Sequence, residues 1–451
     1  MKRLPLVAHT RPEQIEQIVA WYQGEAISLS RFLSDVHHLA SRFPPRQHLL
    51  NMCTDRYRFS VGLAAAIVSQ KISLLPSTHT PEMVRQVQVF APDVFCLHDT
   101  PNCSIALPQL AYPVSPDTPQ VDVAIPLIDS AQLIAIVFTS GSTGTPLPHQ
   151  KHWGTLVQSV QAEVERLGLT AHAAPHSVVG TVPPQHMYGL ESTVLLALQG
   201  GQTLCGAQPF YPADIVAALE AVPAPRVLVS TPVHLRLLLD AELALPEVAL
   251  ILSATAPLSP KLAQAIEARF NAPLLEIYGS TETGMIATRR STHTQTWHLF
   301  SQIKLTQQDD HVTAWGGHVS TPIVLNDVIE FTEPDHFLLH GRSADLINIA
   351  GKRSSLANLN HQLNAIAGVL DGAFYMPDDA AHDHIMRLAA CVVAPTLTAQ
   401  TLMRALRERI DPVFLPRPLL FVDALPRNGT GKLPRAALKN LIHEQLGSES
   451  V

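Results

Sequence analysis

Short apolar runs alternate with helix-like segments along most of this chain, and this alternation limits the folds that it can adopt. The predicted strands are Leu133–Phe138, Arg226–Ser230, Ala249–Leu252 and Leu274–Ile277, and the predicted helices are Thr155–Leu167, His234–Leu239 and Leu258–Phe270. Short continuous apolar runs are typical of strands that are buried on both faces of a parallel sheet. Their alternation with helices favours an α/β fold whose largely parallel sheets are covered by helices.

The pattern changes from about Val312 onward. The candidate elements beyond this point are the hairpin-like segments Val328–Phe331 and Phe337–His340, the strand Leu388–Val393 and the helix Leu402–Arg409. The chain has 451 residues, more than one ordinary domain holds. We therefore predict an N-terminal domain of residues 1–343 and a small α+β C-terminal domain of residues 344–451, with the boundary near Ser343–Asp345.

The composition is that of a soluble globular protein. Hydrophobic residues make up 46% and charged residues 15%, which supplies a large core and argues against disorder. The net charge of −7 excludes the basic footprint of a nucleic-acid-binding protein. Apolar runs such as Val61–Val68 fall short of the roughly 18 residues that a membrane span needs, and Met1–Thr10 lacks the features of a secretory signal. We expect a cytoplasmic protein that binds neither nucleic acid nor membrane.

Neither the cysteines nor the histidines indicate a metal site. The five cysteines are odd in number and lack CxxC spacing, so we interpret them as reduced thiols that are mostly buried. His382-Asp383-His384 has metal-binding residue types. Its i, i+2 spacing in a polar turn, without a matching ligand cluster, is more typical of a solvated loop.

The strongest local feature is a loop of small residues directly after the first predicted strand. It runs from Thr139 to Pro146 with the sequence TSGSTGTP. Glycines let backbone N–H groups approach a phosphate closely, and Ser and Thr hydroxyls donate further hydrogen bonds to phosphate oxygens. No Gly-Lys-Ser/Thr follows, so this is not a Walker A loop. The alternative is an ordinary Ser/Gly-rich linker.

A second element, Tyr278–Gly284 (YGSTETG), also follows a predicted strand directly. An aromatic side chain before a flexible turn can stack on a nucleobase, and a Thr hydroxyl can contact a phosphate. A carboxylate can hold Mg²⁺ bound to phosphate oxygens. The alternative is a plain strand-to-loop turn.

Two basic segments complete the set. Gly341–Arg353 (GRSADLINIAGKR) contains the predicted domain boundary, and Pro426–Leu433 (PRNGTGKL) lies near the C-terminus. In the second, Lys432 follows two glycines and can place an ammonium group on developing phosphate or carboxylate charge. A basic loop in this position can equally be solvated and inert.

In their order and spacing these four elements resemble the adenylate-forming superfamily of acyl-CoA synthetases, non-ribosomal peptide adenylation domains and firefly luciferase. The resemblance extends from about residue 50 to about residue 440. It implies that the chain uses ATP and Mg²⁺ to convert a small carboxylic acid into an acyl-adenylate with release of pyrophosphate. A thiol then takes the acyl group and AMP leaves. The resemblance also implies that the C-terminal domain is a mobile lid that rotates about a hinge.

The resemblance assigns roles to the residues that match the motifs. Those implied to bind the nucleotide are Thr139, Ser140, Gly141, Ser142, Thr143, Gly144, Ala254, Thr255, Tyr278, Gly279, Asp327 and Arg342. Those implied to bind the acid or the thiol are His186, Tyr188, Gly189, Gly279 and, on the thiol tunnel, Gly351. The catalytic set is His186, Thr281, Glu282 and Lys432. Within it Thr281 would contact the α-phosphate, Glu282 would hold Mg²⁺ and Lys432 would serve the adenylation step.

Three positions depart from the family pattern. Leu147 replaces the lysine that commonly follows the phosphate loop; either Lys151 compensates or binding rests on backbone donors. Ala344 stands at the hinge, where Asp or Lys is common, with Asp345 next, so the pivot residue is open. Ala254-Thr255 stands where glycines are common, which implies a narrow pocket.

The short chain and the Leu147 departure are similar to stand-alone ligases of bacterial aryl-polyene and xanthomonadin-type pigment pathways. That similarity implies a hydroxybenzoate-like aryl acid and an acyl carrier protein as the acceptor. An aryl- or medium-chain acyl-CoA ligase that uses free CoA is the alternative enzyme. A degenerate nucleotide-binding regulatory protein is the alternative from another class. No clear acidic residue marks an amino-group pocket, which argues against amino-acid activation.

Overall fold

The computed structural model describes residues 2–8, 17–113, 124–140, 146–169, 174–309, 311–342, 346–349, 352–376, 388–428 and 431–448. Two large sheets, a three-stranded sheet and one two-stranded pair form the N-terminal part of the described chain, and shorter strands and helices form the C-terminal part. We call the two large elements the small sheet, of six strands, and the large sheet, of eleven strands.

The strands of the small sheet come from the first third of the chain. In order they are Pro146–His152, Leu133–Ser140, Ile72–Leu75, His48–Asn51, Phe95–His98 and Gln109–Ala111. All neighbours are parallel except the first pair, in which Pro146–His152 returns antiparallel beside Leu133–Ser140. The accompanying helices are Leu29–Ala40, Arg56–Val68 and Pro81–Phe90.

The large sheet has a parallel centre and antiparallel edges. In order its strands are Asp327–Glu333, His336–Arg342, Trp297–Leu299, Gly284–Arg289, Leu274–Ser280, Leu250–Ser253, Arg226–Ser230, Ser177–Gly180, Thr203–Cys205, Ile18–Tyr22 and Glu25–Ser28. The strands from Leu274–Ser280 through Ile18–Tyr22 are parallel to one another, and the remaining pairs are antiparallel. The predicted α/β class with largely parallel sheets is confirmed.

Helices of the N-terminal part pack against these sheets. They are Trp153–Leu167, Met187–Gly189, the π-helix Leu190–Leu195, Leu196–Gly200, Pro212–Glu220, Pro232–Asp240 and Pro260–Phe270. An antiparallel sheet of Lys304–Gln308, His311–Gly316 and Val319–Leu325 follows, and Arg3–Pro5 pairs with Leu127–Asp129.

The starts of two helices explain why their observed bounds differ from the predicted ones. Thr231 and Ser259 each accept a hydrogen bond from the backbone N–H three residues later, and Pro232 and Pro260 follow at the first helical position. A hydroxyl cap followed by proline is a strong helix start, because proline lacks only an N–H that is unsatisfied there anyway. One helix therefore begins two residues earlier than predicted and the other two residues later.

The C-terminal part has its own core. Its elements are the hairpin Leu346–Ile349 and Lys352–Ser355, the sheet Asp371–Tyr375, Ala389–Val393 and Leu419–Phe421, and the helices Leu356–Asn364, Ala399–Arg407 and Arg435–Ser448. Apolar side chains such as Leu359, Leu402 and Val392 form a cluster drawn from this part alone. The predicted strand and helix near residues 388–409 are present, shifted by one to three residues. The predicted boundary at Ser343–Asp345 lies outside the described residues.

The described helices include none that is long and apolar enough to cross a membrane. The five cysteines are free: Cys53, Cys96, Cys205 and Cys391 are buried and Cys103 is half-buried. His382-Asp383-His384 lies outside the described residues.

Candidate active site

A tight hairpin turn forms the centre of the candidate site. Strands Leu274–Ser280 and Gly284–Arg289 pair antiparallel, with Thr281, Glu282 and Thr283 between them. The Ser280 N–H donates to Thr283 Oγ1 at 3.1 Å, and the Thr283 N–H donates to Ser280 Oγ at 3.2 Å. These reciprocal bonds make the segment an ordered hairpin, which differs from the flexible turn that the sequence suggested.

Two glycines predicted to bind substrate also have a packing role. A Cβ atom at Gly279 would lie 2.1 Å from the carbonyl oxygen of Gly284, across the hairpin. A Cβ atom at Gly189 would lie 2.0 Å from the carbonyl oxygen of Pro183. Backbone approaches this close exclude any side chain, so both positions need glycine whatever they bind.

The end of the phosphate-loop strand meets the hairpin turn. Thr139 Oγ1 and His149 Nε2 are 2.9 Å apart, and the same nitrogen lies 3.4 Å from Glu282 Oε1. Burial alone would raise the pKa of Glu282, but the Ser280 hydrogen bond and the His149 and Lys151 charges outweigh it and hold the pKa below its ordinary value. Glu282 is therefore an ionised carboxylate, whose oxygens can bind a cation, at the point where the predicted phosphate loop begins.

Lys151 is a buried cation beneath the hairpin turn. Its side chain is only 7% exposed, and its ammonium group donates to the carbonyl oxygen of Thr281. Burial lowers its pKa, while the nearby carboxyls of Glu191 and Glu282 act in the opposite direction. The structure thus places Lys151 in contact with the turn that carries the predicted magnesium ligand.

Tyr278 joins the hairpin to the antiparallel edge of the large sheet. Its hydroxyl donates to Asp327 Oδ2 at 2.8 Å, and its ring packs against Trp297 and Phe337 with centroids 5.6 and 5.5 Å away. Asp327 pairs across the strands with Arg342, which is described here by its backbone alone. Tyr278 and the predicted ribose residues Asp327 and Arg342 therefore lie together on this edge.

The predicted adenine-contacting segment follows the central strand Leu250–Ser253. Within it Thr255 adopts a backbone φ of +77°. A β-branched residue seldom adopts this left-handed conformation, which glycine adopts freely. The backbone itself explains why glycine is common at this position in the resembling family.

His186 begins the helical segment that carries Tyr188. Its carbonyl accepts from the Leu190 N–H at 2.8 Å, which starts the helical turn. Burial, together with the charges of Lys432 and His79, lowers the pKa of His186 to about 4. His186 is therefore neutral near pH 7, and its imidazole lies within electrostatic reach of Lys432.

The loop that carries Lys432 is held in shape by its own domain. The Lys432 N–H donates to Asn428 Oδ1 at 2.9 Å, and Arg427 pairs with Asp371 at 2.7 Å. Arg427 also donates to the Gly431 carbonyl at 3.0 Å. These contacts hold the backbone of Gly431 and Lys432 against Arg427 and Asn428.

The same loop is seated against the N-terminal part. A Cβ atom at Gly431 would lie 2.8 Å from Cγ2 of Val233, on helix Pro232–Asp240. Lys432 is exposed, and it lies close enough to His186 for its charge to lower the pKa of that imidazole. The C-terminal part of the chain is therefore placed with Lys432 toward the predicted acid site.

Several predicted residues fall where the structure gives no account of them. Gly141, Ser142, Thr143 and Gly144 lie outside the described residues, as do Gly351 and the hinge candidates Ala344 and Asp345. Ser140 is described by its backbone only, as the last residue of its strand.

Sequence reasoning missed His149 and His318 as parts of this site. His318 is 7% exposed, lies against the backbone of Thr283 and Met285, and has a pKa that burial lowers to about 4. His149 follows Leu147 by two residues, and strand periodicity could have indicated that the two share a face. The position of His318 depends on a long-range packing contact for which the sequence gives no signal.

A second histidine cluster lies on the outer edge of the large sheet. Single ligand atoms of His298, Asp335 and His336 lie within 4.8 Å of one another. Arg166 Nη1 lies 2.6 Å from His298 Nδ1, so Nδ1 must accept and Nε2 carries the ring proton, which it directs at Asp335. A metal needs a ring nitrogen with a free lone pair, and this arrangement offers none at His298.

The comparisons with known proteins show the family and the fold. The AMP-binding enzyme family matches residues 57–313, more than half of the chain. A 4-coumarate–CoA ligase of Rhodobacter capsulatus is 30% identical over 303 residues, 66% of this chain and 74% of the relative. A 4-coumarate–CoA ligase of Halorhodospira halophila is 29% identical over 65% of this chain and 73% of its own length.

Solved structures share the whole fold. O-succinylbenzoate coenzyme A synthetase of Bacillus subtilis in complex with AMP superposes with a TM-score of 0.79 at 18% identity, covering 95% of this chain and 96% of the other. ATP-bound MatB of Rhodopseudomonas palustris also superposes at 0.79, with 17% identity and 96% coverage of both chains. On the family match, the chain belongs to the AMP-binding enzymes of the adenylate-forming superfamily.

Proposed function

We propose that this protein condenses an aryl carboxylic acid with ATP to form an aryl-adenylate and pyrophosphate. It then transfers the acyl group to the phosphopantetheine thiol of an acyl carrier protein. The chain is an AMP-forming acid–thiol ligase by family; the aryl acid and the carrier protein are the parts proposed. The names of the two bacterial relatives specify an aryl acid, 4-coumarate, and support that part.

One observation carries the adenylation step. Glu282, at the hairpin turn, lies within 3.4 Å of the imidazole that also contacts Thr139, where the phosphate loop begins. On another side of the site, the charge of Lys432 reaches His186. Elements far apart in the sequence thus supply an anionic oxygen beside the phosphate loop and a cation near His186, the two kinds of group that attack on the α-phosphate of ATP requires.

The residues present fit Mg²⁺. Glu282 offers a carboxylate that is 40% exposed, and its pKa lies below the ordinary value, so it is ionised at neutral pH. Hard oxygen ligands of this kind suit Mg²⁺, which keeps several waters and binds through one or two carboxylates. When bound, the ion would neutralise phosphate charge. Thr281, beside Glu282, would direct its hydroxyl at the α-phosphate.

The chain's own residues orient the two anionic reactants. Neutral His186 can line the acid pocket without trapping the carboxylate as a salt bridge, and Lys432 can neutralise charge that develops between the carboxylate and the α-phosphate. Such preorganised donors contribute most when they need no rearrangement at the moment of reaction. Transfer to the thiol then requires that Lys432 withdraw, which assigns the C-terminal domain a second position.

Acid-dependent exchange of labelled pyrophosphate into ATP tests the proposal directly. We expect exchange with at least one aryl acid from a panel of benzoates and cinnamates, and none without acid. Thioester formation with free CoA and with a phosphopantetheinylated carrier protein, measured side by side, then identifies the acceptor. A preference for CoA would mean that the protein uses the acceptor that the names of its relatives specify. Absence of exchange with every acid would favour the degenerate nucleotide-binding alternative.

The Lys432→Ala variant separates the two half-reactions. Loss of one preorganised charge donor typically costs about 10²–10³ in rate, so we expect adenylation to fall by that factor. Transfer from supplied acyl-adenylate should change little. Lys261→Ala, which removes an exposed lysine from helix Pro260–Phe270, is the matched control and should leave both steps unchanged. Equal damage to both half-reactions in the Lys432 variant would contradict the role given to Lys432.

A further inference from the structure

An arginine is fully buried in the N-terminal part of the chain without an ion-pair partner. Arg56 is the first residue of helix Arg56–Val68 and is 0% exposed. Burial lowers its pKa to about 10, so the guanidinium is still charged at neutral pH. The described residues offer it no carboxylate partner; the side chain of the adjacent Asp55 accepts instead from the Arg58 N–H at 3.0 Å. A buried charge is costly unless it is paired, so this placement requires an explanation.

The guanidinium of Arg56 donates to three oxygen atoms on other elements. Its Nη2 donates to the carbonyl oxygens of Gly180 and Val182, each at 2.8 Å. Its Nη1 donates to Thr193 Oγ1 at 2.8 Å. The three acceptors follow Arg56 in the chain by 124 to 137 residues, so only the tertiary fold brings them to it. Arg56 therefore joins a helix that accompanies the small sheet to the end of a strand in the large sheet.

These hydrogen bonds lie at both ends of residues 181–189, which we call the acid-site segment because it carries the predicted acid-binding residues. The strand that ends at Gly180 leads into the segment, and the π-helix that contains Thr193 follows it. Arg56 bonds directly to the backbone at its start. At its end, the Thr193 hydroxyl accepts from Arg56 and donates to the Gly189 carbonyl oxygen. One guanidinium thus fixes both ends of the acid-site segment.

The backbone of His186 is held between these two ends. Its N–H donates to the Pro183 carbonyl at 3.2 Å, and its carbonyl accepts from the Leu190 N–H at 2.8 Å. Pro183 directly follows Val182, which Arg56 holds, and Leu190 directly follows Gly189, which the Thr193 hydroxyl holds. The position of His186 therefore depends on both ends of the acid-site segment.

The chemistry of a guanidinium suits this arrangement. It is planar and carries five N–H donors in a fixed geometry, whereas a lysine ammonium is a point charge on a flexible stem. One nitrogen of Arg56 can therefore hold two carbonyl oxygens while another holds a hydroxyl. The hydrogen bonds that the described structure gives this side chain all go to the acid-site segment, the strand before it and the π-helix after it. Loss of the guanidinium should therefore disturb the acid site more than the nucleotide site.

Resting on the proposed function, which assigns His186 to the acid pocket, we infer that Arg56 is a positioning residue for the carboxylic acid substrate. Arg56 fixes both ends of the acid-site segment and so sets where His186 meets the acid, without touching the substrate itself. A small misplacement caused by a change far from the chemistry can cost about 10²-fold in rate, so such a role can have a large effect.

The Arg56→Met variant tests the inference through the two substrates separately. Adenylate formation is measured as pyrophosphate release with hydroxylamine as the trap, using an acid that supports pyrophosphate exchange, so that the readout does not depend on the thiol acceptor. We expect kcat/KM for the acid to fall by about 10–10²-fold, mostly through a higher KM, while the KM for ATP stays within about threefold. Arg58→Met is the matched control, since it removes a partly exposed arginine of the same helix that pairs with Asp99 at 3.8 Å. Both KM values of this control should stay within about threefold of wild type.

A pair of variants at Thr193 tests the same contact without removing the buried charge. Thr193→Val keeps the shape of the side chain but deletes the hydroxyl that links Arg56 to the Gly189 carbonyl. Loss of such hydrogen bonds should raise the KM for the acid by about tenfold and leave the KM for ATP within about threefold. Thr193→Ser retains the hydroxyl and should stay within about threefold of wild type for both substrates.

The outcomes separate the inference from the function on which it rests. If the wild-type protein activates no acid, the proposed function fails and the inference fails with it. A role in the core alone would lower the fraction of folded enzyme, and with it kcat, but leave both KM values unchanged. That result for Arg56→Met, or a KM for ATP raised as much as the KM for the acid, would overturn the inference and leave the function standing. If Arg56→Met does not fold, the Thr193 pair decides: equal acid KM values for Thr193→Val and Thr193→Ser would overturn the inference.

Discussion

Thr255 illustrates how a single backbone conformation constrains the nucleotide site. Its φ of +77° costs a residue with a Cβ atom about 1–2 kcal/mol. Such strain persists only where the surroundings enforce it, and it clusters at binding sites. Here it lies directly after the strand Leu250–Ser253, in the segment predicted to contact adenine.

Glycine and alanine at this position should reverse their usual order of stability. Both variants lose the threonine side chain, but only Thr255→Gly removes the strained Cβ. We therefore expect the free energy of unfolding of Thr255→Gly to be about 1 kcal/mol higher than that of Thr255→Ala. Denaturant unfolding measures the difference. At Ala254, whose φ is not positive, Ala254→Gly should instead destabilise by about 0.5–1 kcal/mol. A Thr255→Gly variant less stable than Thr255→Ala would show that the strain is absent.

The sequence indicated some site residues and not others for a physical reason. Glu282 and Lys432 lie in short motifs whose residue types alone suggest phosphate chemistry. His149 contacts Thr139 and Glu282 on other elements, and those contacts depend on strand register and long-range packing. Glu163 has the sequence context of an ordinary exposed helical glutamate, so the sequence alone does not predict that it is buried.

At the scale of elements, the position of Lys151 on the strand Pro146–His152 decides whether this residue can replace the usual loop lysine. Leu147, His149 and Lys151 alternate along it and therefore share one face, which is the face toward the hairpin turn. At about 3.3 Å per residue, Lys151 lies roughly 13 Å along the strand from Leu147. It cannot occupy the position of the missing lysine. Its contact with the Thr281 carbonyl indicates instead that it positions the turn.

Removing this buried cation should impair the use of ATP more than the use of acid. Lys151→Met deletes a charged hydrogen bond to the turn, an interaction of about 1.5–3 kcal/mol, so kcat/KM for ATP should fall by about 10–10²-fold. Initial rates of adenylation at varied ATP and varied acid concentrations separate the two effects. Lys304→Met, at an exposed lysine that lies over Trp315, is the control and should resemble wild type. An unchanged dependence on ATP would exclude Lys151 from positioning the turn.

Elements differ in how fully the sequence specified them. Arg226–Ser230 has the predicted bounds because its central residues, Val227, Leu228 and Val229, form the apolar run that is typical of a strand buried between parallel neighbours. The π-helix Leu190–Leu195 was not predicted, because its Glu191, Ser192 and Thr193 are polar residues that are nonetheless buried. Buried partners on other elements form hydrogen bonds with them, as Arg56 does with Thr193 at 2.8 Å and Ser159 with Glu191 at 2.6 Å, and an amphipathic pattern does not encode such contacts.

At the scale of the whole molecule, the structure shows one arrangement of the two parts of the chain. The Lys432 loop is seated on helix Pro232–Asp240, with Gly431 against Val233. This arrangement suits adenylation, since it brings a cation toward His186. The resemblance to adenylate-forming enzymes predicts a second arrangement for thiol transfer, with Gly351 turned toward the site.

A reversible crosslink at the seat of this loop would test whether the second arrangement is needed. A Cβ atom at Gly431 would lie 3.6 Å from Cβ of Val233, within the roughly 3.5–4.5 Å that a disulfide spans. The double variant Val233→Cys/Gly431→Cys can therefore close without moving the backbone, although the φ of +78° at residue 431 adds strain of about 1–2 kcal/mol. Oxidation would hold Lys432 in the site.

We expect the oxidised double variant to form acyl-adenylate at a rate close to that of its own reduced form. Thioester formation should fall by at least about tenfold on oxidation and recover with reductant, because a locked lid cannot present its other face to the thiol. Comparison of one protein in two redox states cancels any effect of the substitutions themselves. The two single-cysteine variants should not respond to oxidation, since the five native cysteines are free and mostly buried. Undiminished thioester formation by the crosslinked protein would mean that one domain arrangement serves both half-reactions.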